Sequence, residues 1–123
     1  MTIIFDGRIE GEHNDCVVRA FSIASGKKYG KVHSLLKKYG RKDKRGTPQS
    51  ASRLAASDLR LKRFRCRMTL SRFLDDFQYV PRCVACYRGH MAGIQNGVIT
   101  SDGVLTNSGG RIVVSYYIHE SLV

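Results

Sequence analysis

The chain has 123 residues, enough for one domain with a modest core but too few for two. Its hydrophobic share of 42% and charged share of 25% argue against wholesale disorder, and no apolar run reaches the length of a membrane span. The formal net charge of +11 is unevenly spread, because Lys27 to Arg67 holds 15 Lys and Arg against only Asp43 and Asp58. A field of that kind draws nucleic acid or an acidic protein surface, or else belongs to a solvated face that keeps the chain soluble. The opening MTIIFDGRIEGEHND lacks the basic-then-apolar order of a secretory signal, so a cytoplasmic setting is expected. There the four Cys are read as thiols rather than disulfides.

In chain order, Asn14-Asp15 precedes an apolar run from Cys16 to Ser25 that ends at Gly26, which predicts a capped and central helix. A second helix fits Tyr29 to Tyr39, with Val32, Leu35, Leu36 and Tyr39 on one stripe and lysines opposite. Arg41 to Gly46 reads as a basic loop, and Thr47-Pro48 opens a third helix to about Ser57. The second half changes period. Leu59 to Arg67 reads as a strand whose alternation slips between Leu61 and Phe64, as a bulge or an edge position allows. Thr69 caps a short helix through Phe77. Arg82 to Tyr87 is apolar enough for a central strand. His90 to Gln95, Asn96-Gly97 and Val98 to Thr100 carry the signature of a two-residue hairpin. Arg111 to Ile118 alternates, with Ile112, Val114, Tyr116 and Ile118 on one face. Helices first and an antiparallel sheet second predict an α+β domain over residues 1–123.

A Cys at the first turn of a buried helix sits where unpaired N–H groups and the helix dipole favour an anion, which makes a thiolate more available. A His elsewhere in the fold can take the proton and return it to a leaving group. Cys16 and His90 have these positions. Taken alone, each has a plainer reading, the Cys as a small buried hydrophobe and the His as an ordinary strand-end residue. His13, His33 and His119 read as surface residues. Cys83-x-x-Cys86 with Cys66 and His90 suggests zinc, but residues three apart on a strand face opposite sides, so these thiols read as core and no metal or cofactor is expected.

His13-Asn14-Asp15-Cys16-Val17-Val18-Arg19-Ala20, followed by Val32-His33-Ser34-Leu35-Leu36 and Arg45-Gly46-Thr47, resembles a group of small phage and bacterial proteins that share an NDCVVRA segment. These look like compact members of the papain-like cysteine peptidase superfamily, near the bacteriocin-processing peptidases. Gly89 to Ile99 resembles the strand and hairpin that carry their His, and the likeness spans about Glu12 to Ile118.

The resemblance implies a papain-like fold, N-terminal helices on a C-terminal antiparallel sheet, and a phage-encoded hydrolase of peptide or amide bonds in the host cytoplasm. It implies Cys16 as nucleophile and His90 as base and acid, with Asp102 or Asn107 orienting the imidazole. Papain-like enzymes usually carry a Gln about six residues before the Cys, where this chain has Glu10, so Asn14 or the Cys16 backbone N–H is left as oxyanion donor. A tight turn at Asn96-Gly97 pairs His90 with Gly103 and turns Asp102 to the other face, which keeps Asn107 open as the third member. The alternative is a binding module on the same fold, gripping nucleic acid or an acidic host protein through Lys27, Lys28, Lys31, Lys37, Lys38, Arg41, Lys42, Lys44 and Arg45.

Overall fold

The run from Cys16 to Ser25 forms helix α1, and eight of its ten residues are buried. A computed structural model describes residues 16–42, 47–87, 90–100 and 110–123. Burial on nearly every side leaves α1 two hydroxyls to satisfy, those of Ser22 and Ser25, and both are spent at its C-terminus. The Ser22 hydroxyl donates to Lys27 O at 2.6 Å and the Ser25 hydroxyl donates to Phe21 O at 2.6 Å, while Lys27 N–H donates to Ser25 Oγ. Gly26 then leaves the helix at φ 72°, with its N–H on Ser22 O.

Helix α2, Tyr29–Lys38, buries Tyr29, Val32, His33 and Leu36 and turns Lys31, Lys37 and Lys38 to solvent. Two of these placements depart from the sequence reading. His33 is buried beside Tyr29, with ring centroids 6.0 Å apart. Arg41 is 2% exposed, although it stands in a run of lysines. The reason is the helix ending: Gly40 at φ 113° reverses the chain, Gly40 N–H bonds Lys37 O, and Arg41 N–H bonds Leu36 O. That pair of bonds folds the second residue past the cap back onto the helix. Helix α3, Gln49–Asp58, starts at Pro48, and the Tyr39 hydroxyl ties α2 to it by donating to Asp58.

The rest is a five-stranded antiparallel sheet, in order β1-β5-β2-β3-β4, with helix α4, Leu70–Asp76, following directly on β1. The strands are β1 Leu61–Thr69, β2 Cys83–Tyr87, β3 His90–Gln95, β4 Val98–Ile99 and β5 Ile112–His119. One face meets α1 and α3 through Leu61, Val84, Cys86 and Tyr117. The other face meets α4 through Cys83, Ala85, Ala92, Ile94 and Val113. The chain is thus α+β, with α1 pinned to β5 by an edge-on contact of Phe21 with Tyr117 at 5.2 Å. Among the described residues no helix is long and apolar enough to cross a membrane.

Two layers of cover explain the uneven alternation in β1. Leu61 points to the helix pair while Phe64, Cys66 and Met68 point to the α4 side, so the slip near Leu61 is a change of face, not a bulge. The true irregularity lies further on, between Arg65 and Met68. β5 has its own break at the same level, where Cys86 pairs with Ser115 but Tyr87 pairs with Val113, leaving Val114 as the extra residue. Val113 is therefore core while Ile112 and Val114 are exposed, against the simple alternation expected for this strand.

The hairpin follows its sequence signal. Gln95 pairs with Val98 and Ile94 with Ile99, and both turn residues have positive φ, 50° at Asn96 and 78° at Gly97. A Cβ on Gly97 would lie 2.7 Å from Leu74 O and 2.8 Å from the Gln78 Cα, because the turn rests on the end of α4. Gly40 also has positive φ, but nothing lies within 4 Å of its missing Cβ. Gly97→Ala is expected to cost more stability than Gly40→Ala, by about 1–2 kcal/mol on top of the backbone strain both share. Urea unfolding of the two variants measures the difference.

Candidate functional site

A cleft of about 380 Å³ opens on the helix-covered side, between α1 and α3, with the sheet as its floor. Cys16 and Val17 form the α1 wall, and Thr47, Gln49 and Ser52 form the α3 wall. Cys86, Ser115 and Tyr117 form the floor, and Arg63 reaches in from β1. Met91 borders one end together with Tyr87 and His90, which stand at the edge of the cleft because their register turns them towards the α4 side. Each group arrives by a local rule. Cys16 is the first residue of α1 and is half-buried against the core below it. His90 is the first residue of β3, directly across from Tyr87, and their rings lie 5.2 Å apart. Ser52 is fixed by the first turn of α3, where its N–H donates to Pro48 O at 3.0 Å. Val114 enters because the bulge breaks the alternation, so that Val114 and Ser115, neighbours in sequence, both border the cleft.

The structure therefore brings Cys16 and His90, which are 74 positions apart in the chain, to one cleft. Asn14, Asp102 and Asn107 lie outside the described residues, as do Lys44 and Arg45. Of the remaining basic residues named from sequence, Lys27, Lys28, Lys31, Lys37, Lys38 and Lys42 are exposed, whereas Arg41 is buried and does not belong to that surface.

The other cysteines divide by burial. Cys83 and Cys86 face opposite sides of β2, Cys83 towards α4 and Cys86 towards the cleft. Burial pushes the Cys83 thiol up to about 12. Burial also raises Cys86, to about 11, against the opposing pull of a hydrogen bond from Ser115 and the nearby charge of Arg63. Desolvation raises Cys66 as well. Cys86 thus shares the cleft with Cys16 but stays protonated at neutral pH.

Compared with family models, curated proteins and solved structures, the chain matches none. The chemistry of the cleft is what carries the case. A thiol at a helix start, an imidazole, and hydroxyl and amide donors on the facing wall are the groups an acyl transfer needs. Thr47 adds a buried hydroxyl with no hydrogen-bond partner among the described residues. No described residue bordering the cleft is acidic, and Arg63 supplies a positive charge.

Sequence reading missed Thr47, Gln49, Ser52, Arg63 and Cys86 as cleft residues. Only Cys86 carried a signal, its place two residues after Val84 on a central strand.

Raised thiol pKa values have a consequence for stability with a definite sign. A folded state that holds Cys83 and Cys86 protonated keeps that contribution in full below the ordinary thiol pKa. It then loses it as the pH climbs towards about 11 and 12. Unfolding free energy is expected to fall steadily above about pH 9. Cys83→Ala should be less stable at neutral pH, by about 1–2 kcal/mol, but show a shallower alkaline decline. Urea titrations at stepped pH check both.

Proposed function

We propose that this chain is a papain-like thiol hydrolase that cleaves a peptide or other amide bond by acyl transfer. The observation that carries the proposal is the shared cleft of Cys16, at the start of a buried helix, and His90, at the start of a strand. In this reading the Cys16 thiolate attacks the carbonyl carbon and forms a thioester as the amine leaves with a proton from His90. Water, deprotonated by His90, then attacks the thioester and restores the thiol. Asn14 or the Cys16 N–H faces the developing oxyanion, and Asp102 or Asn107 orients the imidazole. The resemblance to the NDCVVRA proteins and the electropositive helix start support this assignment.

Iodoacetamide on the folded protein is expected to mark Cys16 first, Cys66 later, and Cys86 and Cys83 last. Cys16 labelling should persist below neutral pH, and His90→Ala should shift it to higher pH without unfolding the protein. Timed mass spectrometry reads the order, and equal labelling of all four thiols would overturn the hydrolase reading. Comparing Asp102→Ala with Asn107→Ala assigns the orienting residue, because the larger loss of Cys16 reactivity marks it.

A second reading, the basic binding module, draws on the exposed lysines of α2 and the turn before it. Binding to a duplex DNA or heparin probe is expected to fall steeply with added salt and to weaken in the double variant Lys31→Glu, Lys38→Glu. Binding that stays flat across the salt series would remove this reading.

A further inference from the structure

The geometry points to a cleft that takes a substrate bearing a carboxylate, held by Arg63 a few residues away from the bond to be cut. This rests on Cys16 being the reacting group, and it adds the chemical class of what lies alongside.

Arg63 lies directly across from Tyr117 in the β1–β5 pairing, so both side chains belong to the helix-covered face. Both border the cleft. The described ion pairs of this half of the chain are Arg60 with Glu120 and Arg72 with Asp76, and neither involves Arg63. Its charge is felt by the groups of the cleft floor, since it pulls down the Cys86 and Tyr117 pKa values against the rise that burial causes. Arg53, exposed on α3, acts on Tyr117 in the same sense. No acidic group stands among the described residues of the wall, so a bound carboxylate would meet no competing anion from them.

The neighbouring donors suit a carboxylate. Gln49 and Ser52 sit in the first turn of α3, beside Thr47 and its buried hydroxyl. The guanidinium offers a planar fork that matches two carboxylate oxygens, and the flanking hydroxyl and amide groups can satisfy their remaining lone pairs.

The register sets the distance. Arg63 is level with Tyr117, Val84 and Gly93, three strands over from β3 and three residues along it from His90. Strand spacing of about 4.8 Å and a rise of about 3.3 Å per residue put Arg63 about 14 Å across and about 10 Å along from His90, backbone to backbone. The long Arg63 side chain, on the cleft side of the sheet, spans part of that gap. An extended substrate advancing about 3.3 Å per residue then places its carboxylate roughly two to four residues from the scissile bond.

Peptide vinyl sulfones test this, prepared in pairs that differ only by Glu or Gln at the second, third or fourth residue from the warhead. Fluorescent capped hexapeptides, scanned with Glu or Gln at every position, are measured in parallel for binding to the Cys16→Ala protein, which covers both sides of the bond. At least one Glu probe is expected to outpace its Gln twin about five- to tenfold. Arg63→Ala should bring the pair level, and Arg63→Lys should restore only part of the preference, since an ammonium lacks the fork. Lys62→Ala removes the same charge from the next residue, on the opposite face, and should leave the preference intact.

Equal Glu and Gln values throughout both experiments would overturn the assignment, as would a preference that survives in Arg63→Ala or disappears in Lys62→Ala. Iodoacetamide has no recognition element, so it reports on Cys16 alone. Selective Cys16 labelling with no Glu preference retains the hydrolase and rejects Arg63. An Arg63-dependent Glu preference in hexapeptide binding, with Cys16 inert, retains the carboxylate site and rejects the hydrolase.

Discussion

Burial of α1 is the constraint on which the rest of the structure depends. A ten-residue helix with eight buried positions cannot rest on one surface, so it lies between the sheet and α2. Its buried hydroxyls must then be satisfied locally, and Ser22 and Ser25 accomplish this around Lys27. Phe21 against Tyr117 ties the helix to β5, while most of its contact with the sheet is with β3. With the C-terminus capped and the middle packed, the start of the helix has no freedom of its own. The position of Cys16 is a result of core packing laid down well away from it.

The sheet contributes the other half of the cleft through irregularity. A regular ladder would bury alternate residues and present a flat floor. The break in β5 instead brings Val114 and Ser115 together at the rim. The Tyr39–Asp58 hydrogen bond joins α2 to α3, and α2 packs on α1, so the two walls are linked through α2. Proximity to the negative Asp58, as a hydrogen-bond acceptor and as a charge, raises the Tyr39 phenol, which keeps it protonated and donating over the ordinary pH range.

Much of this was legible in the residues. The apolar stripe of α2, the Thr69 cap of α4 and the Asn96-Gly97 hairpin are local signals with local causes, and each element formed where its residues direct. Thr69 accepts from Arg72 N–H as a cap should. What escaped were effects set by distant parts of the chain. Arg41 and His33 look like surface residues because their neighbours are charged or polar, yet a reversal at Gly40 and the packing against Tyr29 bury them. The bulge at Val114 leaves no trace in a run of β-branched residues. Arg63 is one of many cations until pairing with Tyr117 puts it beside the cleft. A regular strand whose apolar residues pass from one face to the other between Leu61 and Phe64 resembles one with an insertion unless both covering layers are known.

Among the described residues the strand order leaves β1 and β4 without a neighbour on one side. β4 has only two residues, too short to serve as a template for another chain. β1 is nine residues long and would be a ready site for edge-to-edge aggregation, but Lys62, Arg63, Arg65 and Arg67 are all exposed along it. A second copy laid against that edge would bring cation against cation, and the break between Arg65 and Met68 spoils the straight register such pairing needs. Arg63, the cation that charges the cleft, thus also belongs to the row that keeps separate copies of this sheet from fusing into one.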